Sequence, residues 1–150
     1  MEEIYEAFFT YLEKVGGYLD RLSELAKTKN IAAQRGDVLS VNECMREEQD
    51  IGLTLRRMDK QRERLLTVLH LDGVPLSAVP GRCPPELRPA ARAAVEALLA
   101  KRDIYRSAAD AARSTLECTL HNIEKLIEQK EPNGRTGVHA RGGLFTDYRT

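Results

Sequence analysis

The amino-acid sequence predicts an all-α chain: an antiparallel bundle of three long helices with coiled-coil-like packing, the third the longest, and a flexible C-terminal tail. Three observations carry this reading. Apolar residues recur at steps of three and four over long stretches. Turn-forming sequence gathers at Arg35-Gly36-Asp37, at residues 73–88 and beyond Pro132. Hydrophobic residues at 42% stand beside charged residues at 31%, which fits a folded, soluble chain better than a disordered or membrane-embedded one. At 150 residues one core suffices, because a chain of that length buries roughly 70% of its unfolded surface. The expected division is a helical domain over residues 1–131 and a tail over residues 132–150.

Helix 1 is expected over about residues 3–34. Ile4, Phe8, Leu12, Val15, Leu19, Leu22 and Ala26 form its seam, and Ala33 follows one polar turn later. Gly36 readily takes the left-handed conformation that closes a helix, and Asp37 can accept a backbone N–H bond at the start of the next. Ser40 with Glu43 offers a second capping box. Five of the eight aromatics, Tyr5, Phe8, Phe9, Tyr11 and Tyr18, surround helix 1. Phe8 is expected to fill the end of the bundle against Leu66, Leu69, Val95 and Leu98 with the tyrosines half exposed; a sharper alternative makes Tyr5 and Phe9 part of a partner surface. Gly16-Gly17 marks close packing or a kink.

Helix 2 is expected over about residues 38–70, antiparallel to helix 1 because the connection is short. Val38, Val41, Met45, Ile51, Leu55, Met58, Leu65 and Leu69 fall on one stripe, interrupted by Glu48, Gly52 and Arg62. Prolines at 75, 80, 84 and 85 make residues 73–88 a loop with at most one short turn. Helix 3 begins at Pro89, where the missing N–H costs nothing, and runs to about residue 131. Small residues at its centre, 107–112, allow close helix approach. At ~1.5 Å per residue, helices 1 and 2 reach roughly 50 Å and helix 3 roughly 64 Å. Helix 3 therefore outruns the Gly36-Asp37 turn with Leu120, Ile123, Leu126 and Ile127 on one strip, which a partner, a second copy of the chain or the folded-back Phe145 and Tyr148 would cover. If the loop or a kink shortens helix 3, the strip is ordinary core instead.

Charge excludes several functions. Lys plus Arg equal Asp plus Glu at 23 each; residues 1–35 hold six acids against five bases and residues 91–131 seven against seven, so no basic stripe for nucleic acid is expected. No run approaches the ~18 apolar residues of a membrane span, and Met1-Glu2-Glu3 is acidic where a signal peptide is basic. Cys44, Cys83 and Cys118 form no even set and no CxxC pair, which suits free thiols in a cytosol. Glu117 and His121 share a face, but a di-metal bundle site needs Glu-x-x-His pairs from two helices, and there are none. No nucleophile elbow and no phosphate-cradling glycine loop occurs. His70 sits where the carbonyls of helix 2 end, a structural role, and His139 lies in the tail. The chain is therefore expected to bind rather than catalyse, with no metal and no cofactor.

Leu22-x-x-Leu25, the Gly36-Asp37 break, Glu47-Glu48, the run Asp59 to Arg64 and Leu65-Leu66-x-x-Leu69 together resemble the FlgN-type flagellar export chaperones. The stretch Leu116 to Ile127, with Asn122, resembles the end of that family's last helix, and Phe145-Thr146-Asp147-Tyr148 is compatible with its tail. The resemblance implies a cytoplasmic chaperone that binds the C-terminal segment of hook-filament junction proteins, keeps them unpolymerised and delivers them to the type III export machinery. The partner-binding residues it points to are Leu116, Leu120, Ile123, Leu126, Ile127, Phe145 and Tyr148. The alternatives are a chaperone for filament cap or filament subunits, or a coiled-coil adaptor such as a stalk-like regulator of an export ATPase; a homodimer is compatible with either. Circular dichroism should report a protein more than half helical, since the three helices take about 110 residues; a substantial β signal would overturn the fold class.

Overall fold

The computed structural model describes residues 1–130, and those residues are all-α, with no strand. Three long helices, α1 (Glu2–Gln34), α2 (Val38–Val68) and α4 (Arg88–Lys130), alternate with a tight turn and with a connection that holds a 3-10 turn (Leu76–Ala78) and the short α3 (Val79–Arg82). The expected tail over residues 132–150 lies outside the described residues.

The α1–α2 turn forms as its residue types dictate. Gly36 adopts φ +70°, and the Asp37 N–H reaches back to the Ala32 carbonyl at 2.9 Å, which closes α1 with a Schellman bond. Asp37 then caps α2: its carboxylate accepts from the Ser40 N–H at 3.2 Å and from the Ser40 hydroxyl at 2.6 Å. Those two bonds hold the Asp37 carboxyl below its usual pKa. Ser40 thus supports the Asp37 cap rather than opening a box of its own with Glu43. At the other end of α2, His70 takes a left-handed φ of 56° while the Leu71 N–H bonds the Leu66 carbonyl at 2.9 Å, so its contribution is made by its backbone.

α1 is the shared element. Arg21 pairs with Glu47, and Lys29 with Glu48, across the α1–α2 interface. On another side Lys101 pairs with Asp20 at 2.8 Å and its Cδ lies 3.2 Å from where a Cβ on Gly16 would stand; residues 6–16 of α1 share a groove with 94–101 of α4, and 27–30 share another with 103–111, so α4 runs alongside α1 in the same direction. Gly16 is thus the close-packing glycine of the pair Gly16-Gly17, and Gly17 has nothing near it. α2 and α4 nowhere bring their Cα atoms within 8 Å of each other.

This two-sided packing alters the aromatic expectation. Tyr5, Phe8 and Tyr11 are all buried, and only Tyr18 and Phe9 are half-buried. Tyr5 and Tyr11 were expected half exposed on the premise of one seam; with neighbours on two sides and a third layer at its N-terminal end, α1 covers much more of its circumference. That third layer is the proline-rich connection. Leu71, Val79, Pro80 and Cys83 are buried, and Leu71, Val79 and Cys83 join Tyr5, Phe8, Ala91 and Val95 in the core. Residues 73–88 are a built plug with two helical turns instead of a plain loop.

The weak middle of α2 also resolves. Glu48 interrupts the stripe because it receives Lys29, whose Nζ donates to both carboxylate oxygens at 2.8 and 2.9 Å. Lys29 is 1% exposed, and burial pulls its pKa down while its hydrogen bonds to Glu48 oppose that shift. Gly52 is buried, and Val38, expected on the seam, is exposed, because Cys44, Ile51, Leu55 and Met58 set a line that passes it by. Removing one partner of a buried pair leaves the other charge uncompensated, whereas replacing both by apolar groups is close to neutral. Lys29→Met alone should therefore cost about 3 kcal/mol and lower the thermal midpoint by roughly 6 to 12 °C, and Lys29→Met with Glu48→Met should regain most of that loss. A single variant as stable as the native chain would contradict the assignment.

Candidate functional site

The core ends before α4 does. Ala91, Val95, Leu98, Tyr105 and Ala112 are the buried apolar residues of α4, and from Arg113 to Gln129 none is buried. Register explains it. With Lys101 beside Gly16 and Asp20, the last residue of α1, Gln34, stands level with about residues 115 to 119 of α4. The following turns extend past the Gly36-Asp37 turn by roughly 15 Å. The glycine break that ends α1 and the lack of any Gly or Pro between Pro89 and Pro132 together create this overhang.

The overhang is apolar on one strip. Ile123 is 48% and Leu126 57% exposed, so both are exposed large apolar side chains. Leu116, Leu120 and Ile127 are half-buried. The structure thus brings these five residues together on one helix. Phe145 and Tyr148, assigned to the same site, lie outside the described residues. Glu117 and His121 are both exposed, and among the described residues no cluster of three or more His, Cys, Asp or Glu side chains gathers to hold a metal. No described helix is long and apolar enough to cross a membrane.

Further apolar side chains occur at the same end. Ile31, Val38 and Leu39, in the last turn of α1 and the first of α2, are exposed. They were missed as site candidates. For Ile31 a signal existed, since it falls off the seam of helix 1; Val38 and Leu39 became distinguishable only once the packing line of α2 was set.

Two shallow grooves run between α1 and α4. One, of about 540 Å³, is lined by Lys27, Asn30, Ile104, Ser107, Ala108 and Ala111 among others, and the small residues at 107–112 are what keep it open. The Asn30 side-chain amide oxygen, Oδ1, is buried without a hydrogen-bond partner among the described residues. The other is lined by Glu6, Phe9, Thr10, Glu13, Ala94 and Ala97 among others, so Phe9 sits where an adjacent surface can reach it while Tyr5 does not. The cysteines are free; Cys44 and Cys83 are buried, which raises their thiol pKa values, and Cys118 is exposed.

Comparison of the chain with protein-family models, with curated proteins and with solved structures yields no match. The exposure of the strip makes its own prediction. Ile123→Asp with Leu126→Asp should leave the thermal midpoint of the isolated protein within about 2 °C, as for surface substitutions. Val95→Asp, which puts a charge into the core, should lower it sharply; a similar loss in the first variant would show that the strip is core.

Proposed function

We propose that this chain is a cytoplasmic export chaperone of the FlgN type. In this reading it binds the C-terminal helical segment of a flagellar hook-filament junction protein and keeps it from assembling until the type III export machinery receives it. The observation that carries the reading is the overhang: an apolar strip standing beyond the reach of α1 and α2. The sequence pattern around Gly36-Asp37, at 59–69 and at 116–127 supports the family. The three long helices are read as an antiparallel bundle whose third member is lengthened for this purpose.

The mechanism is helix on helix. A cargo helix lays its apolar face along Leu116, Leu120, Ile123, Leu126 and Ile127. Phe145 and Tyr148 belong to the same proposed partner-binding set. Full burial of Ile123 and Leu126 contributes roughly 1.5 to 3 kcal/mol each before ordering costs. Because the cargo surface so covered is the one that self-assembles, no chemistry is required. A coiled-coil adaptor that pairs the same strip permanently, in a homodimer or with an export component, is the second reading, and the exposed Ile123 and Leu126 favour it equally.

The test is binding of the full chain to the C-terminal segment of a junction protein, measured by titration calorimetry. The chaperone reading predicts a one-to-one complex that Ile123→Asp with Leu126→Asp weakens at least about tenfold, the equivalent of ~1.4 kcal/mol. No binding of that segment, together with a stable homodimer that the same double variant dissociates, would replace it with the adaptor reading.

A further inference from the structure

The first part of α2 is held differently from the rest. Between Val38 and Asp50 one residue, Cys44, is buried, with Val41 and Met45 half-buried. Val38 and Leu39, which could seal the start of the helix, are 66% and 76% exposed. Ile51, Gly52, Leu55 and Met58 then follow as buried residues. Beyond them Leu65 and Leu66 pack against the core, and Leu69 and Leu71 are part of it. The α4 backbone stays away from α2, so the first part of α2 rests on α1, and much of what joins the two is charge. Arg21, Leu25 and Lys29 recur at steps of four and share one face of α1. Arg21 meets Glu47 and Lys29 meets Glu48, with Leu25 buried between them. The Arg21–Glu47 pair is about half exposed and adds little. The Lys29–Glu48 pair is buried, and separating it returns both charges to water, which offsets much of the attraction lost. Glycines bound the segment: Gly36 in its left-handed turn and Gly52 within the helix, where the backbone resists bending least.

We propose that residues 38–50 form a strap that lifts from α1 as a unit, latched by Lys29 and Glu48, while the plug, the rest of α2 and the α1–α4 pairing stay in place. Local opening is easiest where few apolar contacts must be given up, and a latch made of two charges gives up little once water reaches it. The closed strap covers Leu25, Lys29 and Cys44 near the end of the bundle from which α4 continues. The open strap uncovers them, and anything that binds the uncovered face of α1 holds the strap open. Because the device belongs to the isolated chain, it stands whether or not the overhang takes a cargo helix.

The native cysteines report on the strap: Cys118 is exposed, Cys44 lies beneath it, and Cys83 is buried in the plug. The full chain is labelled with N-ethylmaleimide, and each thiol is followed by mass spectrometry of its peptide. Each rate is divided by that of the same thiol in the unfolded chain, which removes intrinsic reactivity. Cys118 should react first. Cys44 should react at least about tenfold faster than global unfolding, measured by circular dichroism in urea, would allow, and faster than Cys83. Its rate should also rise with urea less steeply than global unfolding does, because the slope follows the surface that opening exposes. Lys29→Met, which leaves Glu48 without its partner, should speed Cys44 at least about tenfold. Val79→Ala weakens the plug and should speed Cys83 about tenfold while leaving Cys44 within about twofold. If that variant does not fold, the urea slopes of the native chain decide. A Cys44 slope equal to that of global unfolding, or equal acceleration of Cys44 and Cys83 by Val79→Ala, would overturn the proposal. So would Cys83 reacting as fast as Cys44, or a Cys44 rate that Lys29→Met leaves unchanged.

Discussion

α2 and α4 are each held by α1, and their backbones do not approach one another. That constraint governs the rest of the molecule. A helix that must satisfy two neighbours and a plug at its N-terminal end needs apolar character around most of its girth, and α1 has it: Tyr5, Phe8, Tyr11, Leu12, Val15, Leu19, Leu22 and Leu25 are all buried. The aromatics sit near the N-terminal end, where Leu71, Val79 and Cys83 complete the core. Toward the other end the core residues shrink to Ala26, Ala32, Ala33 and Ala112. The fold is bulky at the plug and slender at the turn, and it is from the slender end that α4 continues.

Polar pairs divide the labour with this apolar core. Burying Lys29 against Glu48 is costly for each charge alone, and the pair is not an efficient source of stability. Its geometry is better suited to holding α1 and α2 in one register, since a slip of either helix strands a charge.

Much of the fold was legible in the sequence. Periods of three and four residues located the long helices to within a residue or two at most ends, and the Gly36-Asp37 break predicted both the left-handed glycine and the Asp37 cap. The proline-rich connection was misjudged because prolines signal chain reversal but say nothing about burial; Val79 and Pro80 become core only through the end of α1 they rest on. The burial of Tyr5 and Tyr11, and the placement of Lys29 beside Glu48, depend on two helices flanking α1, which a one-dimensional seam does not reveal. Of the site, the strip on α4 followed from helix lengths alone. Val38 and Leu39 required knowing which side of α2 was already occupied, whereas Ile31 already fell off the seam of helix 1.

The central claim is that α4 is core up to Ala112 and an uncovered partner surface beyond the turn. Amide hydrogen exchange followed by mass spectrometry tests it most directly, because protection tracks local burial and stability along one continuous helix. In the isolated protein the account predicts strong protection over residues 91–112, fast exchange over 119–129, and slowing of the second stretch when the cargo segment is added. Protection of residues 119–129 equal to that of residues 91–112 in the isolated monomer, or no change on adding a segment that binds, would contradict it.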